Sequence, residues 1–298
     1  MNKNDLVEKL SFLAAEAFWH GLEEISPGPL LRERLKREGG KILVSGRPWD
    51  GKGMLLCCAA GKAAPQMAEV AGEILDGKIG RGLLICPTDM APPKPLPGFE
   101  ILPAEHPVPG EGSFQAAAAL KAAAKDLKAG DLFLFILSGG ATSLLASPVP
   151  PITPEELSAT FKALLASGAD IVDMNIVRKH LTDLGGGRLA ELAYPARIET
   201  LAVSDVPTDN PSTIGSGPTV DDFSTYALAV GVIERFGLSS RIPENVLRFL
   251  KDGIRGKNPE TPKKGAPCFL SSRFEILCSA RLLLDKMALH LTLLPQVA

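Results

Sequence analysis

Residues 199–222 read ETLAVSDVPTDNPSTIGSGPTVDD, and they join a short apolar run to a long, turn-rich loop. The run predicts a buried strand, and the loop begins where that strand ends. Two acids, Asp205 and Asp209, lie early in the loop, and Ser216 and Gly217 lie late in it. Because open α/β sheets bind ligands at the carboxyl ends of their strands, the loop is a candidate ligand site. A plain surface turn is the alternative explanation for its Pro and Gly residues.

Two further apolar runs, 131–137 and 54–60, also lead through small residues into a predicted helix. The residues that follow the runs are Ser138, Gly139 and Gly140 after the first, and Gly61 and Lys62 after the second. A strand, a small-residue turn and a helix start together offer an anion free backbone N–H groups and the positive end of a helix dipole. Three such strand ends in one chain predict one anion-binding crevice.

Apolar runs typical of buried strands alternate with segments of helical spacing along the whole chain. Strands are predicted at 41–45, 54–60, 82–86, 99–102, 131–137, 199–203 and 274–278. Helices are predicted at 5–24, 30–37, 62–75, 113–128, 153–168, 169–184 and 224–236, with others beginning near 188, 243 and 279. This alternation predicts an α/β fold of Rossmann-like type, with a parallel sheet sandwiched between helices. No linker divides the chain, so one domain is expected over 1–298, with a mobile Gly/Pro/Lys-rich loop at 252–267.

Composition excludes several classes of protein. The 298 residues carry a formal charge of −2 and only 5% aromatic residues, which argues against a nucleic-acid-binding surface. The first ten residues are polar and do not resemble a secretory signal, and no apolar run is long enough to cross a membrane. The five cysteines form no CxxC pair and lie mostly in apolar runs. We therefore expect reduced core thiols and a cytoplasmic protein.

Two glycine-rich segments match ligand-binding motifs only by their letters. Residues 46–53, GRPWDGKG, resemble a P-loop, but Gly53 stands where a Ser or Thr would contact magnesium. A hairpin turn is the favoured interpretation there. Residues 185–187 are three glycines that follow a predicted helix, whereas a dinucleotide-binding turn follows a strand. They are interpreted as a helix-ending turn, which weighs against an NAD-dependent enzyme.

Lys62 is the strongest candidate for a catalytic residue. It is predicted on the first turn of a helix, where a cation opposes the helix dipole. A position that is mildly unfavourable for structure, beside a predicted anion site, favours a phosphate-contacting or catalytic role over that of an ordinary exposed lysine.

For most of the other polar candidates, a structural explanation remains beside the functional one. Arg188 is predicted to bind a carboxylate or phosphate with two parallel hydrogen bonds. The cations at 178–180 end a helix, where positive charge is favoured in any case. His106 is either a locally bonded loop residue or a member of the site. Asp205 and Asp209 are predicted to hold a magnesium ion, although Asp209 would also suit a turn.

Six segments, in this order, resemble one enzyme family closely. They are AGKAA at 60–64, HPVP at 106–109, LSGGA at 137–141, VRKHL at 177–181, GGRLA at 186–190 and the stretch at 204–222. Together they resemble glycerate 2-kinases of the type also named hydroxypyruvate reductases. The resemblance runs from about residue 5 to the last predicted helix.

The resemblance implies a kinase that transfers the γ-phosphate of ATP to the 2-hydroxyl of D-glycerate with the help of Mg²⁺. It implies an active-site role for Lys62, which matches the lysine of the family's Gly-Lys-Ala motif. Substrate or phosphate binding is then expected from Ser138, Gly139, Gly140, Arg188, Ser216, Gly217 and His106, and metal binding from Asp205 and Asp209. The family's C-terminal MOFRL domain is expected to be absent from this chain, and a separate polypeptide carrying that domain is a possible partner.

Two other functions stay open at this point. A hydroxypyruvate reductase would need a dinucleotide site, for which no strand-turn-helix fingerprint is found. The third hypothesis is a domain that binds a ligand but has no activity, because the expected second domain would be missing.

Overall fold

The computed structural model describes residues 3–293 of the chain. Its strands are β1 (Leu35–Glu38), β2 (Lys41–Val44), β3 (Arg47–Trp49), β4 (Leu55–Ala60), β5 (Arg81–Pro87), β6 (Glu100–Ala104), β7 (Leu132–Leu137), β8 (Arg197–Val203) and β9 (Ser272–Cys278). Its helices are α1 (Lys3–Glu24), α2 (Pro27–Arg34), α3 (Ala64–Leu75), α4 (Glu111–Lys125), α5 (Ala141–Leu144), α6 (Pro154–Leu165), α7 (Ile171–Leu181), α8 (Arg188–Ala193), α9 (Tyr226–Arg235), α10 (Glu244–Ile254) and α11 (Ala280–Leu293).

Strands β4 to β9 form the main sheet, in the order β6-β5-β4-β7-β8-β9, and every neighbouring pair is parallel. From β4 the chain moves outward through β5 to β6, and it then returns to the other side of β4 as β7. The order therefore reverses between β4 and β7. In open α/β sheets such a reversal leaves a crevice at the carboxyl ends of the two strands, where ligands bind.

The main sheet is covered on both faces, as the apolar runs predicted. Alternate residues of β4 face opposite sides: Cys58 belongs to the core that packs under α4, α5 and α8, and Cys57 to the core under α2 and α3. A strand buried on both sides needs apolar residues at every position, which explains the unbroken run in β7. The predicted α/β sandwich is confirmed.

A third apolar cluster joins α6, α7, α9 and α10 beyond the sheet. It includes Phe161 of α6 and Val177 of α7, which are both fully buried. This helical layer fixes the position of α7 beside the carboxyl ends of the strands. Within residues 3–293, the length and apolar character needed to cross a membrane are not found together in any helix.

Some element predictions were wrong. The helix predicted at 30–37 ends at Arg34, and β1 follows it and pairs antiparallel with β2. The reason is the Gly39-Gly40 turn, whose φ angles of 56° and 80° suit a tight hairpin. The P-loop-like segment contains β3, which pairs antiparallel with β2 after the Ser45-Gly46 turn, as a hairpin interpretation requires.

The segment 252–267 also differs from its prediction as a mobile loop. Thr261 donates a hydrogen bond to the buried Asp222 carboxylate, and Asn258 donates one to the carbonyl of Phe249. Polar side chains of this segment thus complete the hydrogen bonding of buried groups, which holds it against the helical layer.

Candidate functional site

The turns after β4 and β7 are hydrogen-bonded to each other at the reversal of the sheet. The Lys62 N–H donates to the carbonyl of Gly139 over 2.9 Å, and the Ala63 N–H donates to Ser138 Oγ over 3.1 Å. Gly61 allows this close approach: its φ is +124°, and a Cβ there would lie 2.5 Å from the carbonyl oxygen of Ser138. Ser138 is therefore buried between the turns, where it positions backbone and does not face a ligand.

Next to these turns lies a cavity of about 240 Å³. Four residues predicted for the site line it: Lys62, His106, Gly140 and Asp205. Arg178 and Asn175 of α7 line it too, with Thr142, Ser143, Thr213 and Gly215, and its apolar part comprises Pro107, Leu165, Ile171, Met174 and Val206. The three strand ends singled out in the sequence therefore do meet at one crevice.

Gly139 and Gly140 make room for two of these polar groups. A Cβ on Gly139 would lie 2.2 Å from Asp205 Oδ2, and a Cβ on Gly140 would lie 2.9 Å from His106 Cδ2. Both distances are shorter than real Cβ atoms tolerate. The missing side chains let an acid and an imidazole approach the turn that follows β7.

Lys62 is exposed and lies in the turn before α3, which begins at Ala64. The prediction of Lys62 on the first helical turn was thus two residues off. Within residues 3–293 no carboxylate forms an ion pair with its ammonium group, so that charge is free to meet a ligand.

His106 reaches the cavity from the loop between β6 and α4. Partial desolvation and the positive charge of Lys62 lower the pKa of this exposed imidazole below its usual value of about 6.5, although Asp205 acts in the opposite direction. The ring is therefore neutral near pH 7 and can accept a proton.

The two predicted metal ligands lie differently. Asp205 is exposed at the end of β8 and lines the cavity, and its carboxylate has no hydrogen-bonding partner among the described residues. Asp209 is not among the lining residues and has a φ of +50°, as a turn former does. Residues 3–293 contain no group of three His, Cys, Asp or Glu side chains that could enclose a metal ion.

Ser216 and Gly217 support the loop and do not line the cavity. Ser216 Oγ is buried and hydrogen-bonds to Asn175 Oδ1 over 3.1 Å and to Thr142 Oγ1 over 2.9 Å. Gly217 has a φ of +58°, and a Cβ there would lie 2.8 Å from Ser212 Cα. Their positions give a structural role, and a direct ligand contact remains a prediction.

Arg188 likewise lies outside the cavity lining. Its guanidinium donates to the carbonyls of Lys179 and Thr182, over 2.6 and 2.9 Å, at the end of α7. These carbonyls have no partner within the helix, so the arginine caps α7 and matches its negative end. The predicted ligand role of Arg188 finds no support in this position.

Arg178 was not selected from the sequence, although its side chain is only 5% exposed and reaches the cavity. Burial lowers the pKa of its guanidinium to about 10, so it still carries its charge at neutral pH. The helix-end position that makes any cation favourable concealed it, because the local sequence cannot tell Arg178 from the neighbouring Lys179.

Comparison with known proteins places these features in a family. Residues 13–251 match the family model described as a domain of unknown function, DUF4147. The D-glycerate 2-kinase of Thermotoga maritima is 35% identical over 256 residues, which are 86% of this chain and 56% of that protein. A putative hydroxypyruvate reductase of Agrobacterium vitis is 41% identical over 223 residues, which are 75% of this chain and 49% of that protein.

A solved structure agrees with these matches. The crystal structure of glycerate kinase from Thermotoga maritima superposes with a TM-score of 0.76 at 31% identity, and covers 96% of this chain and 63% of its own. The chain spans about half the length of the curated relatives it matches.

Proposed function

This chain belongs to the DUF4147 family, the domain family of the glycerate kinases, and from that premise we propose that it takes part in phosphoryl transfer from ATP to a small hydroxy acid. The acceptor is D-glycerate, the reacting group is its 2-hydroxyl, and the product is 2-phosphoglycerate. The observation that supports this most is the small cavity at the reversal of the sheet, which is lined by Lys62 and Arg178, two cations without a carboxylate partner among the described residues.

The reaction forms a bond between the acceptor oxygen and the γ-phosphorus of ATP, and it breaks the bond from that phosphorus to ADP. The proton of the hydroxyl has to leave in the same reaction. His106 in its neutral form is a proton acceptor that lines the cavity. Lys62 stabilises the negative charge of the phosphoryl oxygens during transfer.

Magnesium fits the groups that line the cavity. Mg²⁺ that serves phosphoryl transfer is commonly held by one or two carboxylates together with substrate phosphates. Asp205 supplies one unpartnered carboxylate, which suits an ion that arrives with ATP. The bound ion would supply charge neutralisation at the phosphate oxygens. Asp209 would contribute only after a movement of its loop, and Asp205 is therefore the ligand we assign.

The relatives' names also include hydroxypyruvate reductase, the alternative activity. A dinucleotide site needs free N–H groups on a glycine turn. Here the N–H groups of Gly186 and Gly187 donate to the carbonyls of Ser216 and Gly217, each over 2.8 Å. These two donors are occupied, which favours the kinase over the reductase.

The relatives' activity belongs to proteins that are about twice as long. We propose that turnover also needs a second wall of the site, of the kind that a MOFRL-type domain would supply, because phosphoryl transfer requires water to be excluded from the phosphate. Five buried thiols suit a reducing compartment, and we place the protein in the cytoplasm.

The test is a coupled assay for ADP with D-glycerate, ATP and Mg²⁺. It compares the chain alone with the chain mixed with the C-terminal half of the Thermotoga maritima relative. Phosphoglycerate formation in the mixture supports the proposal. Oxidation of NADH by hydroxypyruvate without ATP consumption would favour the reductase, and folded protein that is inert in both assays would favour the binding domain.

A further inference from the structure

We propose that Arg178, and not Arg188, binds the carboxylate of the acceptor acid and so selects acids over uncharged alcohols in this cavity. This inference deepens the proposed function and rests on it for the identity of the acceptor. It starts from a difference between Arg178 and its neighbour on α7, Lys179, in the partners that their side chains have.

The chain contains two adjacent buried cations, and only one of them is neutralised. Lys179 is 2% exposed, and its ammonium donates to the Asp222 carboxylate over 3.1 Å and to Ser212 Oγ over 2.6 Å. Arg178 is nearly as buried, yet its side chain makes no hydrogen bond or ion pair with residues 3–293. Its Nε is a buried donor without a partner.

A buried charge without a counter-ion is costly, and native proteins pair such groups. Among residues 3–293, the Arg178 guanidinium lies over the face of the Phe161 ring, with Cζ 4.8 Å from the ring centroid. That contact stabilises the cation, but it leaves the N–H donors unused. An anion in the cavity would use them.

The shape of the site indicates which anion. A cavity of about 240 Å³ is smaller than typical pockets for drug-sized ligands, so it suits a three-carbon acid better than a nucleotide. The planar guanidinium matches the planar carboxylate and can form two parallel hydrogen bonds with it. Lys62 lies at the turn before α3, where the phosphoryl group is expected, so the two cations serve different ends of the substrate.

The arginine keeps its charge in spite of its burial, because burial lowers its pKa only to about 10, well above neutral pH. The last turn of α7 also contributes the negative end of a helix dipole. Asn175 lies one turn earlier on the same helix and is fixed by its bond to the Thr213 carbonyl over 2.9 Å. Both cavity-lining polar residues of α7 therefore stand on a rigid element.

The experiment measures binding by the whole chain, so it does not depend on turnover. D-glycerate and glycerol are titrated into wild-type protein and into Arg178→Gln, Arg178→Lys and the exposed control Arg241→Gln, by calorimetry or ligand-observed NMR. We expect wild type and the control to bind D-glycerate but not glycerol. Arg178→Gln should lose about tenfold or more in affinity, the scale of a lost hydrogen bond to a charged group, and Arg178→Lys should lose less.

Stability separates a ligand-binding role from a structural one. Because the apo protein holds an uncompensated charge, Arg178→Gln should melt at the same temperature as wild type or higher. A large fall in melting temperature without loss of affinity would assign Arg178 to structure and overturn the inference. Loss of inorganic phosphate or ATP binding, with D-glycerate binding intact, would assign it to the phosphates and overturn the inference as well.

The same variants distinguish this inference from the proposed function. If the mixture with the second domain turns over glycerate and Arg178→Gln leaves the KM for glycerate unchanged, the inference fails and the kinase stands. If no kinase activity is found but D-glycerate binding depends on Arg178, the kinase fails and the carboxylate site stands. Failure of wild-type chain to bind D-glycerate at millimolar concentrations would overturn the carboxylate site.

Discussion

The Asp205 carboxylate occupies the space that a side chain on Gly139 would need, with Oδ2 only 2.2 Å from the Cβ position. The acid comes from the end of β8 and the glycine from the end of β7, so this approach joins two neighbouring strand ends at one point. An exposed carboxylate can rotate away from a new methyl group, whereas backbone cannot. This difference makes the glycine a sensitive probe of the acid's position.

Gly139→Ala should therefore displace Asp205 while leaving the fold intact. We expect phosphoryl transfer to fall about tenfold or more, the scale of a misplaced metal ligand, with little change in melting temperature. Gly61→Ala is the contrasting variant. Its φ of +124° and the 2.5 Å approach to the Ser138 carbonyl should cost about 2 kcal/mol or more of unfolding free energy. Denaturant unfolding and steady-state kinetics on both variants check the pair, and equal destabilisation would contradict it.

Lys62→Ala should lower kcat of the active mixture by about 100-fold, as expected when a charge-stabilising contact is removed from phosphoryl transfer. Its melting temperature should not change, because Lys62 is exposed and pairs with no acid among residues 3–293. Lys52→Ala is the matched control, since its side chain is 86% exposed and lies outside the cavity lining. Turnover of Lys62→Ala near that of Lys52→Ala would remove Lys62 from the mechanism.

The pKa of His106 should lie below 6.5 and should respond in opposite directions to the removal of Lys62 and of Asp205. Desolvation and the charges of Lys62 and Arg178 lower this pKa, and the charges of Asp205 and Asp89 raise it. Lys62→Met should therefore move the titration of His106 to higher pH, and Asp205→Asn should move it to lower pH. NMR titration of the histidine ring protons measures both shifts without any need for activity.

The lowered pKa of His106 should also make the free energy of unfolding depend on pH. A histidine whose folded pKa is depressed binds fewer protons folded than unfolded, so it adds stability above the unfolded value of about 6.5 and loses it as pH falls through the folded pKa. His106→Gln should reduce the loss of unfolding free energy over that interval. If the unfolding free energy of His106→Gln depends on pH as it does in wild type, another group causes the difference in protons bound between the folded and unfolded states.

The five cysteines should resist labelling in the folded protein. All are buried, and burial raises the pKa of Cys57 to about 12 and that of Cys58 well above its usual value. Thiolate is the reactive form, so native protein should react slowly with iodoacetamide and fully only after denaturation. Mass spectrometry counts the modified thiols, and rapid native labelling of Cys57 or Cys58 would contradict the two-faced burial of β4.

The sequence predicted the sheet and the crevice because both follow from local patterns. An apolar strand, a small-residue turn and a helix start are contiguous in the chain, so three strand ends were found without long-range information. The hairpin at 35–44 was missed because four polar-rich residues of β1 have no strand periodicity and pair only through the Gly39-Gly40 turn. Tertiary pairing, and not propensity, makes that segment extended.

Within the site, the sequence could not show which of several nearby cations faces the cavity. Arg178 and Lys179 lie in the last turn of α7, where either cation is favoured on electrostatic grounds alone, and Arg188 follows the glycine turn after that helix. Only their partners separate them: a carboxylate for Lys179, helix carbonyls for Arg188, and no described residue for Arg178. The partner of a side chain can be far away in the sequence, as Asp222 is from Lys179. Predicting such partners requires the positions of the loops at 204–222 and 252–267.

The division of the cavity wall into charged and apolar parts separates two kinds of selectivity. Lys62, Arg178 and Asp205 make the site sensitive to the charge of a substrate. Leu165, Ile171 and Met174 limit the size of the substrate. The charged groups stand on strand ends and on α7, and the aliphatic groups stand at the end of α6 and the start of α7. The length of acid that fits can therefore drift in evolution through aliphatic substitutions alone, while the requirement for a negative charge stays fixed.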